Sequence, residues 1–243
     1  MADSLVIIPT YNEKENIEVI LKAVLSLEKD FNVLVIDDGS PDGTDDIVER
    51  LMPNYPNRIF LLKRKGKQGL GTAYLEGFQY ALDNGYEYVF EMDADFSHNP
   101  KDLIRLYEEA KKGFDVVIGS RYVPGGKIVN WPFDRLALSY GASVYVRIIT
   151  WMHIKDPTAG FVCYKASALR KLNLRSIEFI GYAFQIEMKY AMKKLGMKIA
   201  EIPITFVDRI YGESKISKGI ISEAVFGVLK MKWFNGNKSY LKS

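Results

Sequence analysis

The chain has 243 residues, 48% hydrophobic and 26% charged, with 33 Lys+Arg against 30 Asp+Glu for a formal charge of +3. That composition excludes a disordered or fibrous chain, and the weak basic balance argues against nucleic acid as a partner. One cysteine, Cys163, and two histidines, His98 and His153, exclude an internal disulfide and a thiolate- or histidine-built zinc cluster.

Residues 5–8 (LVII) form a short apolar run stopped by Pro9, which reads as a first strand and not as a leader peptide. The expected compartment is therefore the cytoplasm. Further buried strands are predicted at 33–36, 59–62, 87–92 and 115–118. Amphipathic helices fall between them at 15–27, 45–52, 72–84 and 100–112, the last opening on Pro100. This alternation predicts an α/β fold with a mainly parallel central sheet flanked by helices, binding its ligand at the carboxyl ends of the strands.

The second half is less regular. Residues 120–131 read as a Gly/Pro-bearing loop, 161–164 and 198–205 as strands, 166–172 and 182–195 as helices. Residues 209–217 are polar and loop-like, and 220–234 read as a terminal helix. No repeat or linker divides the chain, so 1–243 is expected to be a single domain.

The stretch 133–152 is long enough to span a bilayer, but Asp134, Arg135 and Arg147 argue against spanning. On a helix, Arg135, Ser139, Ser143 and Arg147 recur every four residues as one stripe, with apolar residues covering the remainder. The stripe is either the solvated side of a buried helix or the inner side of one lying at a membrane surface. Residues 131–152 and 216–234 are the two candidate membrane-interface helices. The second pairs an apolar face with Lys218, Lys230 and Lys232 and with Trp233 and Phe234.

Turn-forming and acidic residues gather where three strands end. The first ends in Pro9-Thr10-Tyr11-Asn12-Glu13, the second in Asp37-Asp38-Gly39-Ser40-Pro41-Asp42-Gly43-Thr44, the fourth in Asp93-Ala94-Asp95. In a parallel sheet all three line one crevice. An Asp there can accept hydrogen bonds from a ribose or base, and Tyr11 can stack on a base. Asp93 and Asp95 can converge on one divalent cation whose shell is completed by phosphate oxygens. The glycines of 66–71 fit neither a dinucleotide fingerprint nor a Walker loop and read as a turn before a helix.

PTYNE, DDGSPDGT, the GLGTA turn, MDADFSH, SRY, TAGF, GYAFQIEM and VDRIYGESK follow one another in this chain. In that order they resemble the dolichol-phosphate (polyprenyl-phosphate) mannose synthases, a branch of the family 2 glycosyltransferases. The resemblance runs from Leu5 to about residue 230. It implies a GT-A fold, GDP-mannose as donor, a polyprenyl phosphate lipid as acceptor, Mg²⁺ or Mn²⁺ as cofactor, and inversion at the anomeric carbon. It implies donor contacts from Pro9, Tyr11, Glu13, Ile36, Asp38, Asp93, Ala94, Asp95, Arg121, Arg209 and Lys215. Asp93, Asp95 and Ser97 match the metal site. Arg121, Arg135 and Ser139 match the acceptor-phosphate site, and Asp95 and Arg121 the catalytic pair.

Where many relatives carry Ser-Arg/Lys-Gly-Ala-Asn, this chain has Ser139-Tyr140-Gly141-Ala142-Ser143, one basic residue fewer beside the acceptor. It also lacks the C-terminal transmembrane helices of some relatives. That implies a peripheral enzyme at the cytoplasmic face of a membrane, reaching the lipid by surface contact or through a membrane-anchored partner protein. The competing readings are a related transferase using another nucleotide sugar, such as UDP-glucose, and a non-catalytic nucleotide-sugar-binding subunit.

Overall fold

The computed structural model describes residues 2–181, 183–208, 226–234 and 238–242. The first strand, β1 (Ser4–Thr10), runs parallel to β2 (Asn32–Asp37) on one side and to β4 (Tyr88–Glu91) on the other. β3 (Ile59–Lys63) pairs parallel with β2. Every residue of β2 is buried, as the unbroken run of apolar residues requires of a strand covered on both faces. Successive side chains alternate between two cores. Leu5, Ile7, Leu34 and Ile36 point to one face, Val6, Ile8, Val33 and Val35 to the other. Each such side chain contributes roughly 1.5–3 kcal/mol of burial.

Helices α1 (Ile17–Leu25) and α4 (Asp102–Lys111) cover the second of these faces. Helices α3 (Leu70–Asp83), α6 (Ala166–Lys171) and α7 (Ala183–Lys194) cover the first, and α2 (Thr44–Leu51) packs beside α1. The seven-stranded sheet has the order β3-β2-β1-β4-β7-β5-β8, with β5 at Val116–Ser120, β7 at Val162–Lys165 and β8 at Ile199–Pro203. Only β7 runs antiparallel to its neighbours.

Two elements differ from the sequence expectation. The single strand expected over 198–205 is two. β8 stops at Pro203, Ile204 turns into the core, and β9 (Thr205–Val207) pairs with β6 (Lys127–Val129) in a separate parallel ladder. Proline has no N–H to continue a ladder. β6 lies inside the segment expected to be loop; three residues are too few for a period to register.

Helix α5 (Phe133–Thr150) has its polar stripe turned inward. Ser143 is buried, while Phe133, Leu138, Tyr140 and Ile148 stand 53–83% exposed. The polar stripe therefore faces the body of the protein and the apolar flank faces out. Trp151 ends the helix in the left-handed conformation, φ 53°, with its ring 72% exposed. Among the described residues no helix is long and apolar enough to cross a membrane. Residues 226–229 are helical and run into a π turn, Lys230–Phe234. Val228 and Met231 enter the core while Phe226 and Trp233 stay outside. The rest of the expected 216–234 helix lies outside the described residues.

Gly71 opens α3 against the loop before α7. Its N–H donates to the Ile180 carbonyl at 2.8 Å. A Cβ there would meet the Phe184 ring at 2.7 Å and the Phe179 carbonyl at 2.9 Å. Phe184 is held by stacking on Tyr74 and cannot swing aside. Gly71→Ala should therefore lower stability by about 1–3 kcal/mol, the usual cost of overpacking. Urea unfolding checks this; an unchanged midpoint would mean that the contact yields.

Candidate active site

The loops after β1 and β2 are stitched together through one carboxylate. Asp37 Oδ1 accepts from Thr10 Oγ1 at 2.7 Å and Ser40 Oγ at 2.6 Å, and Oδ2 accepts from the Ser40 N–H at 2.8 Å. The backbone of the first loop then donates across the gap. Asn12 N–H reaches Ser40 Oγ at 3.0 Å, Glu13 N–H reaches Thr44 Oγ1 at 3.0 Å, and Lys14 N–H reaches Asp42 Oδ2 at 3.1 Å. Asn12 takes φ 57°, a conformation asparagine tolerates better than most residues. Pro9 lies opposite Ile36 in the ladder, and Glu13 accepts from Asn16 Nδ2 at 2.9 Å. Of the five expected nucleoside-side residues, Pro9 and Ile36 thus sit at the paired ends of β1 and β2, and Tyr11, Glu13 and Asp38 on the joined loops that follow.

Asp38 has a partner the sequence reading missed. Arg64, one residue past β3, grips Asp38 Oδ1 through Nε at 2.6 Å and Nη2 at 2.5 Å. Arg64 Nη1 donates to Thr72 Oγ1 at 2.7 Å, and the Arg64 N–H to the Asp37 carbonyl at 2.8 Å. Lys67 places its ammonium 3.9 Å from the centre of the Tyr11 ring, a cation–π contact on a face that could also stack a base.

The acidic turn follows β4. Asp95 is buried, and its Oδ1 accepts from the Ser97 N–H at 3.0 Å and Ser97 Oγ at 2.6 Å. Phe96 between them takes φ 60°, an unfavourable conformation for a bulky residue and a sign of local strain. The Asp93 side chain is 41% exposed, and Ala94 is buried. The Asp93 N–H donates to His98 Nδ1 at 3.4 Å. His98 stacks on Phe161 with ring centres 4.7 Å apart, and burial pushes its imidazole down to about 4, so it is neutral at pH 7.

Among the described residues no group of three His, Cys, Asp or Glu is placed to hold a metal ion. The donor set of Asp93 and Asp95 still fits Mg²⁺ or Mn²⁺ chemistry, which needs one or two carboxylates with phosphate oxygens and water. Ser97, expected as a further ligand, spends its hydroxyl proton on Asp95 Oδ1 and so aims that carboxylate.

Arg121 follows β5 and is anchored on a turn the sequence reading did not assign a role. Its Nε and Nη2 donate to Asp156 Oδ2 and Oδ1, both at 2.7 Å, its N–H donates to Asp156 Oδ2 at 3.0 Å, and Nη2 reaches Thr158 Oγ1 at 2.8 Å. The only signal available was a buried-type acid followed by proline in DPTAG. The guanidinium lies against the rings of Tyr122, Trp131 and Phe206.

The same rings bring in α5. Tyr122 OH donates to Ser139 Oγ at 2.8 Å. Arg135 lies 4.1 Å from the centre of the Trp131 ring, and its Nη1 donates to both oxygens of Asp208 at 3.0 and 2.9 Å. Arg121, Arg135 and Ser139 are therefore assembled around Tyr122 and Trp131. Arg209 and Lys215 lie outside the described residues.

The sequence profile of Glycosyl transferase family 2 matches residues 5–174. The chain belongs to that family. It is 46% identical over 226 residues to an undecaprenyl-phosphate mannosyltransferase of Micrococcus luteus, covering 93% of this chain and 92% of that one. It is 45% identical over 225 residues to a polyprenol monophosphomannose synthase of Mycolicibacterium smegmatis, covering 93% of this chain and 85% of the other. Crystal structures of glucosyl-3-phosphoglycerate synthase from Mycobacterium tuberculosis share the fold with a TM-score of 0.67 at 17% identity, covering 94% of this chain and 79% of theirs. The architecture is the GT-A fold.

Burial alone would push the Asp156 carboxyl up, but the Arg121 guanidinium outweighs it and holds the carboxyl below its ordinary value. Its stabilisation is thus complete above the ordinary carboxylate pKa and is lost as pH falls through the lowered folded-state value. Asp156→Asn should cost about 3–5 kcal/mol at pH 7, the penalty for stranding a buried partner charge. Urea titrations at pH 7 and at strongly acid pH should show the gap from wild type closing on acidification; a pH-independent gap would mean that the pair carries no charge energy.

Proposed function

We propose that this family 2 glycosyltransferase moves mannose from GDP-mannose to a polyprenyl monophosphate at a membrane surface, inverting the anomeric centre and releasing GDP. The observation that carries the donor-sugar and acceptor classes is the near-half identity, over 93% of the chain, to two polyprenyl-phosphate mannosyltransferases. The site geometry is compatible with that reaction. A nucleoside would rest on the joined loops of Tyr11 and Asp38, and its diphosphate on the Asp93–Asp95 turn. The acceptor phosphate would rest between Arg121, Arg135 and Ser139. Arg209 and Lys215 are proposed as further donor contacts on sequence resemblance alone.

A phosphate acceptor is already ionised near neutral pH, so it needs placing and not deprotonation, and no general base is required. An acceptor oxygen bonds to the anomeric carbon as the bond to the diphosphate breaks. Attack from the face opposite the leaving group converts an α-linked donor into a β-linked mannosyl phosphate. Asp93 and Asp95 would hold Mg²⁺ or Mn²⁺, which supplies charge neutralisation at the leaving diphosphate. A Mycobacterium tuberculosis neighbour of the same fold was solved with Mn²⁺ and UDP-glucose. Arg121, fixed by Asp156, presents its charge without reorganisation.

The apolar flank of α5 supports membrane contact. Trp151, Phe226 and Trp233 are each 63–72% exposed, and the Lys232 ammonium sits 4.0 Å from the centre of the Trp151 ring. Aromatic rings beside lysines suit the headgroup layer of an anionic bilayer. The proposed site of docking is the cytoplasmic face, reached by surface contact or through a membrane-anchored partner protein.

The deciding experiment measures radiolabel transfer from GDP-mannose and from UDP-glucose to undecaprenyl phosphate in vesicles. Transfer from GDP-mannose alone is the expected result; transfer from UDP-glucose alone would overturn the donor assignment. Asp95→Ala, or excess EDTA on the wild type, should lower the rate by orders of magnitude. Full activity in either would remove the metal from the mechanism. Arg135→Ala should raise KM for the lipid and leave KM for the donor unchanged. A charge-assisted hydrogen bond contributes about 1.5–3 kcal/mol, and giving up Asp208 offsets part of it, so a rise of roughly tenfold is expected.

A further inference from the structure

Arg121 and Arg135 are both held by carboxylates, but in different ways. Arg121 offers Nε and Nη2 to separate oxygens of Asp156, and the two side chains are only 9% and 0% exposed. Arg135 reaches both oxygens of Asp208 with one nitrogen, Nη1, at 3.0 and 2.9 Å, and these side chains are 30% and 27% exposed. A two-pronged pair sealed from water is strong and fixed. An end-on pair open to water contributes little and exchanges readily. The first arginine is therefore immobilised, and the second can change partners.

Both partners are held from behind. Asp208 follows β9, and its N–H donates to the Val129 carbonyl at 3.2 Å. The Val207 N–H just before it donates to the Ser97 carbonyl of the acidic turn at 3.3 Å. Arg135 rests on the Trp131 ring, 4.1 Å from its centre. The ring keeps the guanidinium in place while its anion is exchanged, so an incoming phosphate finds the charge already aimed. A carboxylate at this strand end presents one negative charge and two acceptor oxygens to the nitrogen that a phosphate would seek.

We propose that Asp208 is an exchangeable counter-ion of Arg135: the acceptor phosphate displaces it, and it returns to Arg135 once the sugar has been transferred. This rests on the reading of Arg135 as a ligand of the acceptor phosphate. The reaction supplies the direction of the exchange. A phosphate monoester carries a charge of about −1.5 to −2 at pH 7. Transfer turns one of its oxygens into a bridge to the anomeric carbon, so the product is a phosphate diester with a single negative charge. Competition from Asp208 weakens the binding of both by the same factor. The more highly charged acceptor still displaces the carboxylate, while the diester is left loosely held and departs.

Calorimetric binding tests this without turnover. The probes are farnesyl phosphate, a monoester, and its methyl diester, which stands for the product. They are titrated into wild type, Asp208→Asn, Arg135→Ala and the double variant at about 0.15 M salt. Asp208→Asn keeps the side-chain shape and removes the charge, and should bind both probes about three- to tenfold more tightly than wild type. A residue that merely held Arg135 in place would give weaker binding instead. In the Arg135→Ala background the same substitution should change either affinity by less than about twofold, because nothing is left to compete for. Unchanged or weaker binding by Asp208→Asn would overturn the inference. So would an equal gain with and without Arg135, which would make Asp208 a general repulsive charge. Should Asp208→Asn not fold, Asp208→Ser removes the same charge and carries the same expectation. Equal binding of farnesyl phosphate by wild type and Arg135→Ala would refute the acceptor reading, and this inference with it. A wild-type enzyme inactive with GDP-mannose would refute the donor reading alone and leave the binding results standing.

Discussion

The Arg121–Asp156 pair is the joint on which the proposed acceptor half of the site depends. It is bidentate, nearly dry, and backed by a third bond from the Arg121 N–H. A guanidinium fixed this way cannot wander, so the rings that pack on it are fixed in turn. Tyr122 carries the order on to Ser139, and Trp131 carries it to Arg135. Helix α5, which touches the sheet little, is thereby registered to the end of β5 through side chains. The low dielectric that makes the pair strong also makes it costly to break, which suits a group that must not reorganise as charge develops.

The proposed donor half is built on the opposite principle. Asp37 is an acceptor hub with no cation on it among the described residues, and short hydroxyl and backbone donors from two loops converge there. Such bonds are geometrically strict and electrically mild. They leave the positive charge of Arg64 for Asp38, one residue further along, and more distantly for Glu76 at 3.7 Å. The two halves meet at the Asp93–Asp95 turn, where strain is tolerated. Phe96 holds a left-handed backbone, and the buried His98 stays neutral beside two carboxylates. A neutral imidazole there accepts a backbone hydrogen bond without competing for the carboxylates as a second cation would.

Much of this was legible in the sequence, for identifiable reasons. Strands β1 to β5 and helices α1 to α4 carry long apolar periods, and the acidic turns at their ends follow from the parallel-sheet rule. The inward direction of the α5 stripe was legible only as one of two alternatives, since a helical period shows which residues share a face but not what the face meets. The antiparallel direction of β7 leaves no trace in composition. Arg64 and Asp156 were missed because each works through a partner distant in sequence: 26 residues separate Arg64 from Asp38, and 35 separate Arg121 from Asp156. Ser97 was legible as a residue of the acidic turn, but its hydrogen bond to the adjacent Asp95 depends on a φ value that no propensity scale assigns to phenylalanine.

Trp151 carries a consequence for how this chain responds to selection. Its left-handed backbone would be easier for glycine or asparagine, and its outward ring is poorly hydrated. The isolated fold gains little from tryptophan at such a position. A campaign that rewards heat resistance in dilute buffer would therefore replace it early and count the change as an improvement. Under the proposed docking, the same campaign run in the presence of lipid would sample a different fitness landscape, in which the apparent defect is a trait. On that proposal stability and competence at a surface are separate objectives, and residue 151 is one place where they pull apart.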